Sequence, residues 1–382
     1  MKQIKKLLQY PVVLVFFLFV FGYTLFDLTQ TDRVYSEFEN KYLAQKPPFT
    51  MKAFLNNEWT QDYEEYINDQ FVLRDDWITL KSLCETALLK IENNGIAYGK
   101  DGYLFEKFTS LAGEKRAQYD RNLGYAMTFL QKHQNDPVTF AIIPNAYAIL
   151  PEKLPAGLEQ VDQLQLIQEA YARVPEGTGV ADFSQALTAH RENYIFYRTD
   201  HHWTTQGAYY AYVQLMEQLG QEPVSLEQLE GNTVEDFYGT YFSKAKKVGT
   251  PADTITYYAI PDTGVTIDGK EQNGYYDLEK FQERDKYAAF LRGNNGYTVI
   301  KSGVRPAAEG QEPSRILVIK DSYANSFVPF LLYNYDEVHV VDLRYLAESL
   351  GKLIETGDFD EILLMYNFSN LVTDTNLYKL GY

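Results

Sequence analysis

The spacing of apolar positions changes along the chain, and each change marks a different kind of element. An uncharged, mostly apolar run from Leu7 to Phe26 follows Lys2, Lys5 and Lys6 and precedes Asp27 and Asp32. About 20 such residues suffice to cross a hydrocarbon core as a helix. Lysines before the run and acids after it predict the N-terminus inside and the body outside. A cleaved leader is the competing reading, but its apolar part is normally shorter and ends in small residues, whereas Phe26-Asp27-Leu28-Thr29-Gln30 stands here. The expectation is a single uncleaved anchor over residues 1–30, holding the protein at the outer face of a cell membrane.

Residues 31–120 read as an arm and helices packed on a core. Ser36 to Thr50 is polar and ends in Lys46-Pro47-Pro48, a tether. Thr50 caps a helical pattern carrying Phe54, Trp59, Tyr63, Tyr66 and Ile67, and a second runs from Asp75 to Ile91. Gly99 to Gly102 makes a turn before the short strand Tyr103-Leu104-Phe105.

From about Arg121 helical patterns alternate with compact apolar runs. The runs are Val138–Ile143, Gly179–Asp182, Ile316–Ile319, Val338–Val341 and Ile362–Tyr366; the helices between them include Asn122–Gln131, Leu158–Arg173 and Ser184–Arg191. Another helix follows Thr204 or Thr205, with Ala208, Tyr212, Leu215, Met216 and Leu219 on one face. Strands that are apolar on both faces and separated by helices predict a parallel α/β sheet, here in residues 121–382. Residues 222–296 break the pattern: they are polar and turn-rich, with Thr254–Tyr258 and Gly264–Ile267 as hairpin strands. They are expected to form a β-rich insertion near the site, in the manner of a substrate-shaping lid.

Composition narrows the function. A formal charge of −17 argues against nucleic acid, which needs a basic face. Tyrosine is abundant, at 32 residues, and tyrosine-lined clefts suit sugars, although the same count also describes a tyrosine-rich core and surface. One cysteine, Cys84, excludes a disulfide within the chain; its helix-like surroundings predict a buried structural thiol.

Two stretches carry candidate chemistry. Tyr197-Arg198-Thr199-Asp200-His201-His202-Trp203-Thr204 holds an acid beside two of the five histidines, and Lys320-Asp321-Ser322 ends a β-branched run where a helix begins. Ligands sit beyond the carboxyl ends of strands in open parallel sheets, which is where Ser322 falls. Its amide, at the first position of the following helix, has no intrahelical partner, and a helix start favours negative charge. A serine hydroxyl needs a base. In an extended loop Asp200 and His202 project to one side, so His202 is the expected base, Asp200 its orienting acid and Ser322 the nucleophile. His201 is the alternative base, or a substrate-facing group. Trp203 is expected to pack beneath the loop. Zinc would need at least three ligands, and His133, His190 and His339 have no ligand spacing; neither a metal nor an organic cofactor is expected.

The segment Thr199-Asp200-His201-His202-Trp203 resembles the signature of the bacterial DHHW proteins, which are similar to the alginate O-acetylation proteins of the SGNH hydrolase-like superfamily. Their relatives with Asp-x-His first and serine later share the order seen here, permuted relative to ordinary SGNH enzymes. Lys320-Asp321-Ser322 resembles the serine block, with lysine where those proteins have glycine. Phe71-Val72-Leu73-Arg74 and Gly99–Phe105 also look like parts of that family's N-terminal half. The resemblance implies a flavodoxin-like fold and an extracytoplasmic O-acetyltransferase or esterase acting on a cell-envelope polysaccharide. It also implies a membrane-bound O-acyltransferase as partner. Asn294 and Asn367 are candidate oxyanion donors, and Arg344 a candidate for a polar substrate group. Two other classes stay open: a non-catalytic glycan-binding or scaffold protein, and a metal-dependent hydrolase built on Asp200, His201 and His202.

Overall fold

The computed structural model describes residues 10–36, 41–305, 307 and 310–382. The chain divides into two compact units, one of Met1–Lys90 with Lys246–Val248, the other of Ile91–Ala245 with Gly249–Tyr382.

In the smaller unit, helix α1 (Pro11–Asp27) is 17 residues long and begins with proline at its first turn. At 1.5 Å per residue it spans about 26 Å, short of a hydrocarbon core of about 30 Å. Among the described residues no helix is long and apolar enough to cross a membrane. This overturns the expected single-pass anchor; the lysines and Leu7 that opened the expected span lie outside the described residues. The end of α1 is tied down within this unit, since Trp77 Nε1 donates to the Tyr23 hydroxyl at 2.7 Å. Helices α2 (Glu58–Gln70) and α3 (Arg74–Ala87) follow. Thr50 caps only Met51–Leu55, its side chain accepting from the Ala53 amide; the expected continuous helix breaks at Asn57, which takes φ 64°. Cys84 is exposed rather than buried, because the buried stripe of α3 runs through Ser82 and Glu85 instead.

The larger unit is built on one eight-stranded sheet. Its strands are β1 (Val138–Ile143), β2 (Gly179–Ala181), β3 (Asp262–Ile267), β4 (Lys270–Gln272), β5 (Tyr297–Ser302), β6 (Arg315–Lys320), β7 (Glu337–Val341) and β8 (Glu361–Asn367). Their spatial order is β4-β3-β5-β7-β6-β8-β1-β2. Strands β7, β6, β8, β1 and β2 are parallel, as the unbroken apolar runs predict. Strands β4, β3 and β5 extend the same sheet antiparallel. The sheet is therefore mixed, and the expected hairpin of Thr254–Tyr258 with Gly264–Ile267 does not form. The first of these pairs with Gly231–Phe237, and the second becomes part of β3.

Both sheet faces are covered, and β6 shows why its sequence does not alternate. Ile316 and Val318 pack with Ala208, Tyr212 and Leu215 of α5 (Thr205–Gln218), whereas Leu317 and Ile319 pack with Leu123, Ala126 and Leu130 of α4 (Gly113–Lys132). Each residue of the strand's interior has an apolar layer to enter. Helix α5 starts where the sequence predicts, with the Thr204 side chain accepting from the Gly207 amide at 3.2 Å.

Candidate active site

The Asp-His-His loop is fixed at both ends. Phe196 and Trp203 form an antiparallel bridge, and the Thr204 amide donates to the Ile195 carbonyl at 2.9 Å. Inside it, fully buried Asp253 accepts the Arg198 and Thr199 amides at 2.9 and 2.8 Å and is also bonded by the Tyr194 hydroxyl. Burial pushes the Asp253 carboxyl up, against the effect of these donors.

The loop bends instead of running extended. Asp200 Oδ1 accepts the His202 amide at 3.0 Å and His202 Nδ1 at 2.6 Å. That turn brings the two side chains together. Oδ2 accepts the Thr240 amide at 2.8 Å and its hydroxyl at 3.1 Å. Backbone runs so close here that a Cβ on Gly239 would collide with the Asp200 side chain. Burial opposes the charge of Asp200, but the imidazoles of His201 and His202 outweigh it and hold the carboxyl well below its ordinary range. A carboxylate facing Nδ1 fixes the proton on that nitrogen and leaves Nε2 as an acceptor.

His202 Nε2 lies 2.9 Å from Ser322 Oγ. Burial, together with His201, pushes the His202 imidazole down to about 4 against the pull of Asp200. It is therefore neutral over most of the working range. Its faces are covered: the Tyr287 ring stacks at 3.8 Å between centroids and 10° between planes, and His201 lies at 3.8 Å and 37°. His201 does not swing clear of the acid as expected. Its Nδ1 is 3.5 Å from Asp200 Oδ1 and bonds the Thr240 hydroxyl at 2.7 Å. Atoms of Asp200, His201 and His202 that could bind a metal lie within 4.8 Å of one another, with Asp200 Oδ1 and His202 Nδ1 already paired.

Ser322 opens a five-residue 3-10 helix, Ser322–Ser326, not the α-helix the pattern predicts. A helix this short offers little macrodipole, so what the turn provides is the unpaired first amide. The preceding Asp321 caps it, accepting the Tyr323 amide at 2.9 Å, and also accepts the Asn367 amide at 2.6 Å and Asn370 Nδ2 at 2.8 Å. Trp203 Nε1 donates to the Tyr323 carbonyl at 2.9 Å, so the tryptophan packs beneath the loop as expected and also binds the serine turn.

Two of the remaining candidates, Asn294 and Arg344, are joined through Lys320 and Asp342. Lys320, 1% exposed, donates to Asn294 Oδ1 at 3.1 Å, Asn325 Oδ1 at 2.8 Å and Asp342 Oδ2 at 3.3 Å. Asn325 Nδ2 also donates to Asn294 Oδ1, at 3.1 Å. Because lysine can only donate, it fixes which end of the Asn294 amide faces inward. Arg344 forks onto Asp342 at 2.9 and 2.6 Å and keeps 28% of its side chain exposed. Asn367 is turned away by other duties: its Nδ2 donates to the Ile143 carbonyl and its Oδ1 accepts the Ser369 amide. Thr240, Gly239, Asp253 and Tyr287 escape sequence reading, since all lie in the irregular stretch 222–296. Lys320 and Asp342 carry a signal: opposite charges at the ends of neighbouring apolar strands.

The chain is similar to several known proteins. A chain with 28% identity over 166 residues is the "Probable alginate O-acetylase AlgJ" of Pseudomonas syringae; the match covers 42% of this chain and 42% of that protein's length. Among solved structures, a DHHW family protein from Eubacterium siraeum superposes with a TM-score of 0.64 at 23% identity, over 76% of this chain and 96% of the other. Bacillus cereus PatB1 gives 0.59 at 20% identity, over 73% and 97%. At these identities the structures establish a common fold. The family profile described as DHHW protein matches residues 123–341, more than half of the sequence. The chain belongs to the DHHW protein family.

Proposed function

We propose that this protein transfers an acyl group to a polysaccharide hydroxyl through Ser322. The observation that carries the reading is the continuous chain Asp200 Oδ1–His202 Nδ1 at 2.6 Å and His202 Nε2–Ser322 Oγ at 2.9 Å. As Ser322 Oγ bonds to the acyl carbon, its proton passes to Nε2 and the carbonyl becomes an oxyanion. In this proposal the Ser322 amide, at the first position of the turn, donates to that charge. Collapse breaks the bond to the leaving oxygen, which takes the proton from the imidazolium, and acyl-Ser322 remains. A sugar hydroxyl then gives its proton to Nε2 and attacks, returning Ser322 as the alcohol. Water in place of the sugar makes the same sequence a hydrolysis.

The acetylase named among the relatives supports acetyl as the group, and the shared fold supports an SGNH hydrolase-like reading of the sheet. The donor in this proposal is a membrane-bound O-acyltransferase, and the acceptor a cell-envelope polysaccharide. Turnover of an activated acetyl ester tests it: Ser322→Ala abolishes turnover while leaving the thermal melt in place, and unchanged turnover rejects the reading. Adding glycan acceptors and separating O-acetylated sugar from acetate distinguishes transfer from hydrolysis.

A further inference from the structure

Tyr287 lies in the stretch that the sequence marks as a lid, yet its side chain is buried behind His202. Two features set it apart from ordinary core packing. Its ring is nearly parallel to the imidazole, 10° between planes at 3.8 Å, so it covers a whole face. Its hydroxyl reaches the serine turn, 3.1 Å from the Ser322 carbonyl, 3.3 Å from that of Tyr323 and 3.2 Å from Ser326 Oγ. One side chain therefore touches the ring of His202 and the backbone of Ser322 together. The hydrogen bonds to Asp200 and Ser322 fix two edge atoms of the imidazole but leave its tilt about the line joining them free. A flat surface against one face removes that freedom.

We infer that Tyr287 is a positioning residue that holds the His202 imidazole in the plane where Nε2 meets Ser322 Oγ. This rests on the reading of His202 as the base. Other titratable groups facing the imidazole are Asp200 and His201 on its own loop, Tyr323 from the serine turn at 4.9 Å between ring centroids, and Arg344 through space. Neither ring among these is parallel to it: His201 is tilted by 37° and Tyr323 by 56°.

The test pairs Tyr287→Phe, which keeps the flat face, with Tyr287→Leu, which keeps apolar bulk without it. Tyr287→Met is the second non-planar variant should the leucine protein not fold. Two readouts are taken on the full chain: steady-state kinetics with an activated acetyl ester, and the downfield proton resonance of His202 Nδ1 in the resting protein. The leucine variant is expected to lose or broaden that resonance and to lose about 100-fold in kcat with KM unchanged, the scale of a misplacement near 1 Å. The phenylalanine variant recovers the resonance and at least about tenfold of the turnover. A leucine variant that keeps a sharp resonance overturns the inference, as does a phenylalanine variant as impaired as leucine. The resonance is read without substrate, so its result stands apart from whether Ser322→Ala abolishes turnover.

Discussion

The indole nitrogen of Trp203 donates to the carbonyl oxygen of Tyr323 at 2.9 Å, so the residue after the histidine is bonded to the residue after the serine. The same nitrogen lies 3.1 Å from Ser326 Oγ, and the Tyr323 hydroxyl returns a bond to the His201 carbonyl. Two loops 120 residues apart in sequence are thus joined by bonds outside the Asp200–His202–Ser322 chain. Trp203→Phe keeps a ring in the cavity and removes the donor. It should cost about 1–3 kcal/mol of stability, the scale of a buried polar group left short of a partner, measured by urea unfolding. A larger fall in kcat than in folded fraction would show that the tie also holds the serine in place.

Gly239 offers a test of the acid that leaves Asp200 itself unchanged. A methyl at position 239 would collide with the Asp200 side chain, so Gly239→Ala must push the carboxylate or the backbone aside. Turnover should fall by about 100-fold, as expected for displacement of a catalytic group by about 1 Å. A melt within a few degrees of the parent would separate this from unfolding.

The pH profile follows from the direction in which His202 is shifted. A base must be neutral to accept a proton, and this imidazole is pushed down to about 4. Activity therefore stays level as pH falls through the ordinary histidine range and drops only as it passes about 4. A profile of kcat/KM on an activated ester, which reports the free enzyme, should show its acid limb there. A limb at about 6.5, the unperturbed value, would mean that the imidazole is better hydrated than its 5% exposure indicates.

Lys320 is a buried charge whose removal would strand its partners. It is 1% exposed and satisfied by Asn294, Asn325 and Asp342. Lys320→Met leaves Asp342 with Arg344 alone, and should destabilise by about 3 kcal/mol, the lower end for breaking a buried pair. Asn294→Asp keeps an acceptor facing Lys320 and Asn325 but removes the outward amide. It should leave the melt in place and lower kcat if that amide donates to substrate oxygen; equal kcat would limit Asn294 to a structural role.

How much of this was legible in the sequence depended on whether one local pattern carried it. Strand β6 and Ser322 could be read because a β-branched run ends at a polar residue. Asp200 and His202 could be read because histidine is rare, with five in the chain, and two of the five directly follow an acid. Of the antiparallel extension β3–β5 only Gly264–Ile267 could be read as a strand, and not its place in the main sheet; Tyr297–Ser302 alternates apolar and polar residues and pairs with strands far from it in the sequence. Tyr287 and Thr240 could not, because only tertiary folding brings them to His202 and Asp200. The apolar N-terminal run was over-read: composition matched a spanning helix, while the described helix starts at Pro11 and is too short.

The most direct test of the central claim is covalent labelling with an activated serine-directed phosphonate, followed by peptide mapping. One adduct is expected, on Ser322, formed rapidly in the parent and at least about 100-fold more slowly in His202→Ala, where the proposed base is gone. Labelling at another residue, or labelling of Ser322 at an equal rate without His202, would contradict it.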